Sequence, residues 1–163
     1  MRFFLVVLLF SITLLPSFAS AAPRLYRNEV MRVRAFDPPA GWELAPQVTY
    51  PGLLASYTHQ DGGRLTLAAQ RVAAGVDGKQ LVEQSRPVLE RQGFAMIKII
   101  PEEGGLRLDA LLDGGKRIVR QHYRVVGPFA YVVTMIVAGD KTSRHQREFE
   151  DALHSLNLVG PDK

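Results

Sequence analysis

LRLDALLDGGKRIVRQHYRVVGPFAYVVTMIV, residues 106–137, decides the fold. From Leu106 to Leu112 apolar side chains recur at every second position, the period of a pleated strand, and Asp113-Gly114-Gly115 follows as a hairpin turn. Glycine supplies the positive φ that tight hairpins require. The chain returns through Arg117 to Val126, turns again at Gly127-Pro128 and leaves through Phe129 to Val137. Three strands joined by tight connections are the centre of an antiparallel meander.

Outward from this centre, Phe94 to Ile100 is a further strand that should end at Pro101, and Glu102-Glu103-Gly104-Gly105 links it to the meander. Before it the period changes. Leu81, Val82, Val88 and Leu89 recur at helical spacing, Asp77 suits the N-cap, Gly93 the C-terminal end, and Pro87 predicts a kink or break. Upstream, Leu53 to His59 and Arg64 to Arg71 form a hairpin about Asp61-Gly62-Gly63. Glu29 to Phe36 alternates as a first strand, which Pro38, Pro39 and Gly41 terminate before Trp42, a lid for one end of the core. After Gly139-Asp140, Phe149, Ala152, Leu153 and Leu156 make one apolar stripe of a closing helix, with Thr142 or Ser143 as cap and Ser143 with Gln146 as a capping box. The order is α+β: an antiparallel sheet of six to seven strands. Ala130 to Val137 is apolar on both alternating sets, so a helix is expected on each face.

The beginning of the chain carries a different message. Arg2 precedes an apolar run from Phe3 to Leu15, and Ala19-Ser20-Ala21 supplies a small-residue cleavage site. That combination predicts a signal peptide over 1–21, cut after Ala21, and a periplasmic or secreted protein; the run, broken by Ser11 and Thr13, is shorter than a membrane span. Residues 22–163 are 142 residues, the size of one domain. With no cysteine the chain has no disulfide, no thiolate metal site and no lipid-attachment cysteine, so an exported domain must be held by its core. Loss of Arg2 leaves 19 Lys and Arg against 16 Asp and Glu, a net +3 spread along the chain, which gives no support for nucleic-acid binding.

A first strand ending in Pro39-Ala40-Gly41-Trp42-Glu43, a hairpin, a helix, a four-stranded meander and a closing helix reading Phe149-Glu150-Asp151-Ala152-Leu153-His154-Ser155-Leu156 resemble the α/β/α sandwich of PsbP, the Mog Ran-binding protein and bacterial DcrB-like envelope proteins. The resemblance spans nearly all of residues 22–163 and implies a non-catalytic module: PsbP-like members dock on membrane complexes, Mog-like members bind a small GTPase, and DcrB-like members sit in the bacterial envelope. No functional residue carries over from it.

The sequence holds no G-x-S-x-G, no H-E-x-x-H, no phosphate-cradling glycine loop and no calcium loop, so neither an enzyme nor a cofactor is expected. Of the four histidines, His59 ends a strand near Asp61, while His145 and His154 are nine apart on the closing helix and do not share a metal along one face. His145 with Glu148, and Asp151 with His154, are pairs of two ligands where a transition-metal site needs three or four, so no metal site is expected. Arg120, His122 and Arg124, spaced by two on one strand, share a face, where Gln70 or Thr66 could join them and Asp109 could pair across. Guanidinium groups pair bidentately with carboxylate or phosphate, so these three are the candidate anion or partner surface. The same spacing also suits a solvated sheet face. The expected function is an exported, non-enzymatic accessory protein of the bacterial envelope acting on a protein partner; the alternative is a small-ligand or anion carrier.

Overall fold

The computed structural model describes residues 25–45 and 51–160; the expected signal peptide lies outside them. In chain order the elements are β1 (Tyr26–Asn28), β2 (Val33–Phe36), β3 (Trp42–Leu44), β4 (Leu53–His59), β5 (Arg64–Arg71), α1 (Gly78–Arg91), β6 (Ala95–Glu102), β7 (Gly105–Leu112), β8 (Arg117–Val126), β9 (Phe129–Ala138), α2 (Thr142–Ser155) and β10 (Asn157–Leu158). Seven strands form one antiparallel sheet in the order β3-β4-β5-β9-β8-β7-β6. The meander supplies one half, and the β4-β5 hairpin joins it by pairing β5 with β9.

The alternation that identifies the strands also divides the core. Phe129, Tyr131, Val133, Met135 and Val137 of β9 join a cluster with Leu65 and Leu67 of β5 and Phe149 and Ala152 of α2. The intervening Ala130, Val132 and Ile136 join a second cluster with Leu108, Ala110 and Leu112 of β7 and Leu81, Val82 and Leu89 of α1. Burying a large aliphatic side chain contributes about 1.5–3 kcal/mol, so these two clusters supply the main driving force for a chain without disulfides.

Four local expectations are corrected. The first strand begins only at Val33 and lies outside the main sheet, in a three-stranded sheet β1-β2-β10. Glu29 to Arg32 turn back instead, with the Arg32 N–H donating to the Glu29 carbonyl at 3.0 Å. Pro101 does not end β6, which runs on to Glu102. β6 is an edge strand, where a missing ladder N–H is tolerated. Of the kink or break expected at Pro87, the break is what fails: α1 is one helix, opened by an Asp77–Gln80 capping box. Finally, Ser143 and Gln146 form no capping box: α2 starts at Thr142, whose Oγ1 donates to the Gly139 carbonyl at 2.8 Å.

Candidate functional site

Two polar constellations stand out from these cores. The first is the strand face read from the sequence. Register places Lys98, Asp109 and Arg120 side by side across β6, β7 and β8, and Arg107 beside His122. On this half of the sheet the row that is apolar in β9, where Met135, Val133 and Tyr131 stand opposite Arg120, His122 and Arg124, continues as charge. The Arg120 Nε donates to Asp109 Oδ1 at 2.9 Å, the expected cross-strand pair, and its guanidinium lies 6.0 Å from the Phe149 ring centroid. Arg107 is held by Glu102 at 2.5 Å and Asp109 at 3.4 Å. His122 is buried, with its Nε2 3.9 Å from Glu102 Oε2. Burial lowers its pKa most; Glu102 opposes that, and the charges of Arg124 and Arg107 add to the lowering. Lys98 and Arg124 have no carboxylate partner among the described residues. Gln70 and Thr66 belong to the opposite face: Thr66 pairs with Thr134 and Gln121, whereas Leu65 lies in line with Arg120. That expectation fails because the face a residue of β5 shares with β8 is set by the register of both strands against β9, which spacing within one strand does not fix.

The second constellation joins residues 85 apart in sequence. The Asp61-Gly62-Gly63 turn leaves β4 at His59, and α2 crosses above it with His145 and Glu148 one helical turn apart on its inner side. His59 Nδ1 lies 2.7 Å from Asp61 Oδ1, and His145 Nε2 lies 2.8 Å from Asp61 Oδ2. The other nitrogen of His145, Nδ1, lies 2.5 Å from Glu148 Oε2, which also accepts from Trp42 Nε1 at 2.9 Å. Arg144 Nη2 donates to His59 Nε2 at 3.2 Å, and its Nε is 3.5 Å from Glu148 Oε1. The rings of Trp42, His59 and His145 pack mutually at centroid separations of 5.2–5.6 Å. Both histidine side chains are 1% exposed, Asp61 20% and Glu148 17%.

Hydrogen bonding fixes the protons. Each His145 nitrogen faces a carboxylate, so both carry hydrogen; His59 accepts at Nε2 from Arg144 and therefore donates from Nδ1. Arg144, His59 and His145 thus surround the carboxylates of Asp61 and Glu148 with donors. Burial raises the Asp61 pKa, but bonds from His59, His145 and the Gly63 N–H outweigh it and carry the group down to about 2. Burial likewise raises the Glu148 carboxyl, and the bonds from His145 and Trp42 with the charge of His145 bring it below its usual range. Tight turns make room: a Cβ at Gly63 would stand 3.1 Å from the Trp42 ring, and one at Gly41 3.2 Å from His59 Nε2. The sequence shows both halves, His59 near Asp61 and His145 with Glu148; it does not show that the closing helix lands on the turn. His154, exposed at the far end of α2, takes no part.

A third feature, a cleft of about 430 Å³ on the small sheet, is lined by Arg27, Glu29, Arg32, Val33, Arg34 and Val159.

No protein-family model matches the sequence, and no curated protein matches it. Solved structures do. The solution structure of cyanobacterial PsbP from Synechocystis superposes with a TM-score of 0.60 at 12% identity, covering 89% of this chain and 97% of that one. The fold is PsbP-like. LpqN of Mycobacterium tuberculosis, a protein involved in cell envelope biogenesis, superposes on the PsbP-like fold with a TM-score of 0.53 at 16% identity, over 77% of this chain and 82% of that one. At such identities the likeness is one of fold. Among the described residues, no helix is long and apolar enough to cross a membrane.

Proposed function

We propose that this protein is exported, cleaved after Ala21, and acts in the bacterial envelope as a non-enzymatic accessory module that binds a protein partner. In this reading residues 22–163 form one α/β/α sandwich with α1 on one face of the sheet and α2 on the other. The partner-facing surface includes Arg120, His122 and Arg124. The observation that carries the proposal is the charged half-face of β6, β7 and β8. Lys98, Arg107, Arg120 and Arg124 are set there against Asp109 and Glu102, so cationic charge remains for an acidic partner surface. The accessory role is consistent with the PsbP-like fold shared with an envelope-biogenesis protein. A second reading, a small-anion carrier, is favoured by the three arginines of the cleft on the small sheet.

Charge reversal at Arg120 would place two acids beside each other at Asp109, so the cleaner variant is Lys98→Glu/Arg124→Glu. Affinity capture from envelope extract with the purified protein should retain one partner, lose it with the double reversal, and keep it with Arg124→Lys. A partner held equally by all three would remove this face from the account, and capture of none with phosphate binding at Arg27, Arg32 and Arg34 would favour the carrier.

A further inference from the structure

We propose that His59 Nδ1, His145 Nε2 and the Asp61 carboxylate form a binding site for a divalent metal ion of the zinc type. The three groups present one ligand atom each within 4.8 Å of one another, two imidazole nitrogens and a carboxylate oxygen. Such a set suits zinc, with a fourth position left to water or an incoming ligand. The chain brings these atoms together from a turn and from the closing helix, and holds both rings buried while Asp61, the most exposed member, forms the mouth. A site of this kind also needs its ligands aimed from behind. Glu148 does that for His145: it takes the proton on Nδ1 and leaves Nε2 for the metal, and Trp42 holds Glu148 in turn. The Gly63 N–H bonds Asp61 Oδ1 at 3.2 Å and fixes the carboxylate against the turn.

Zinc at His145 Nε2 displaces the proton there to solvent. At His59 the proton moves from Nδ1 to Nε2, with no net change. Arg144, which donates to His59 Nε2, must then turn away; its side chain is 56% exposed and already reaches Glu148 Oε1. The ligand atoms, now 2.7 and 2.8 Å apart in hydrogen bonds, must open to about 3.3 Å to surround an ion at zinc–ligand distances near 2.1 Å. That is a shift of about half an ångström by side chains at a turn and a helix. The inference does not depend on the partner-binding reading.

Zinc alone is the probe, with magnesium as the hard-cation comparison. Calorimetry on the purified full chain should give one zinc per molecule and no magnesium heat. Asp61→Asn and His59→Gln should weaken zinc at least 100-fold, and Glu148→Gln 10- to 100-fold through His145. Arg144→Met should tighten it several-fold, because a cation beside His59 is removed, a change in the opposite direction that mere damage to the fold would not produce. His154→Gln should leave it unchanged. Nitrogen-15 spectra of the wild-type histidine side chains give a readout that no misfolded variant can confuse: zinc should shift His59 and His145 and spare His122 and His154. Zinc that moved only His122 or His154, bound equally to Asp61→Asn, or did not bind, would overturn the proposal.

Discussion

Replacing Glu148 tests whether the buried network clamps α2 to the sheet or merely decorates it. One oxygen, Oε2, accepts from both Trp42 Nε1 at 2.9 Å and His145 Nδ1 at 2.5 Å. Glu148→Ala therefore strands two donors that have little water to turn to, since Trp42 is 2% and His145 1% exposed. Each unsatisfied buried donor costs about 1–3 kcal/mol, more when charged, so the alanine variant should lose about 3–5 kcal/mol. Glu148→Gln keeps an acceptor at the Oε2 position and loses the charge, together with the Oε1 acceptor that stands 3.5 Å from Arg144. A charge-assisted hydrogen bond is worth about twice a neutral one, so the glutamine variant should lose about 1–2 kcal/mol. Urea unfolding at pH 7 with chelator present measures both. With a slope near 2 kcal/mol/M the midpoints should fall by about 2 M for alanine and under 1 M for glutamine. Trp42→Phe removes one of the two donors, so Glu148→Ala should cost less in that background. If alanine lost under 1 kcal/mol the network would not be a clamp, and equal losses for alanine and glutamine would mean that charge alone matters.

His122 is held below its ordinary range by burial first, so the unfolded chain binds the extra proton more readily; its contribution is complete above pH 6.5, the unfolded value, and is lost as pH falls below it. His122→Gln should flatten the dependence of the urea midpoint between pH 7.5 and about 5, and an unchanged slope would refute that assignment. Asp61, lowered to about 2, adds stability present above about pH 4 and lost as pH falls toward 2, about 1 kcal/mol after discounting for its exposed turn; Asp61→Asn should remove that part of the acid limb in chelator. A Cβ at Gly105 would stand 2.2 Å from the Tyr123 carbonyl oxygen and 2.8 Å from the His122 ring, so Gly105→Ala should lower stability by about 1–3 kcal/mol or more in thermal melts. Gly160→Ala, with nothing within 4 Å of its Cβ, should melt as wild type.

Much of the architecture was legible because each strand repeats a local rule. The meander and the upstream hairpin follow from alternation and from glycine at their turns, and the helix from Asp77 is opened by the capping residue that its sequence names. What escaped depends on distant pairings. Val33 to Phe36 alternates like any strand, but its partners are Tyr26 to Asn28 and the two residues of β10, so it closes a separate sheet. Pro101 signals an end only in an inner strand, and position in a sheet is not a local property. The candidate sites divide in the same way. Arg120, His122 and Arg124 share a face because residues two apart in a strand must, and Asp109 opposite Arg120 follows from the short connection between β7 and β8. The network of His59, Asp61, His145 and Glu148 needs α2 to cross the β4-β5 turn, which apolar packing of Phe149 and Ala152 decides and no motif announces.

Photo-crosslinking in the living host tests the central claim, that the basic half-face meets a protein partner. A photoreactive residue in place of Arg124 should crosslink to one acidic envelope protein, and one in place of Arg86, exposed on α1, should not. Crosslinks from position 86 alone, or none from 124 in folded protein, would contradict it.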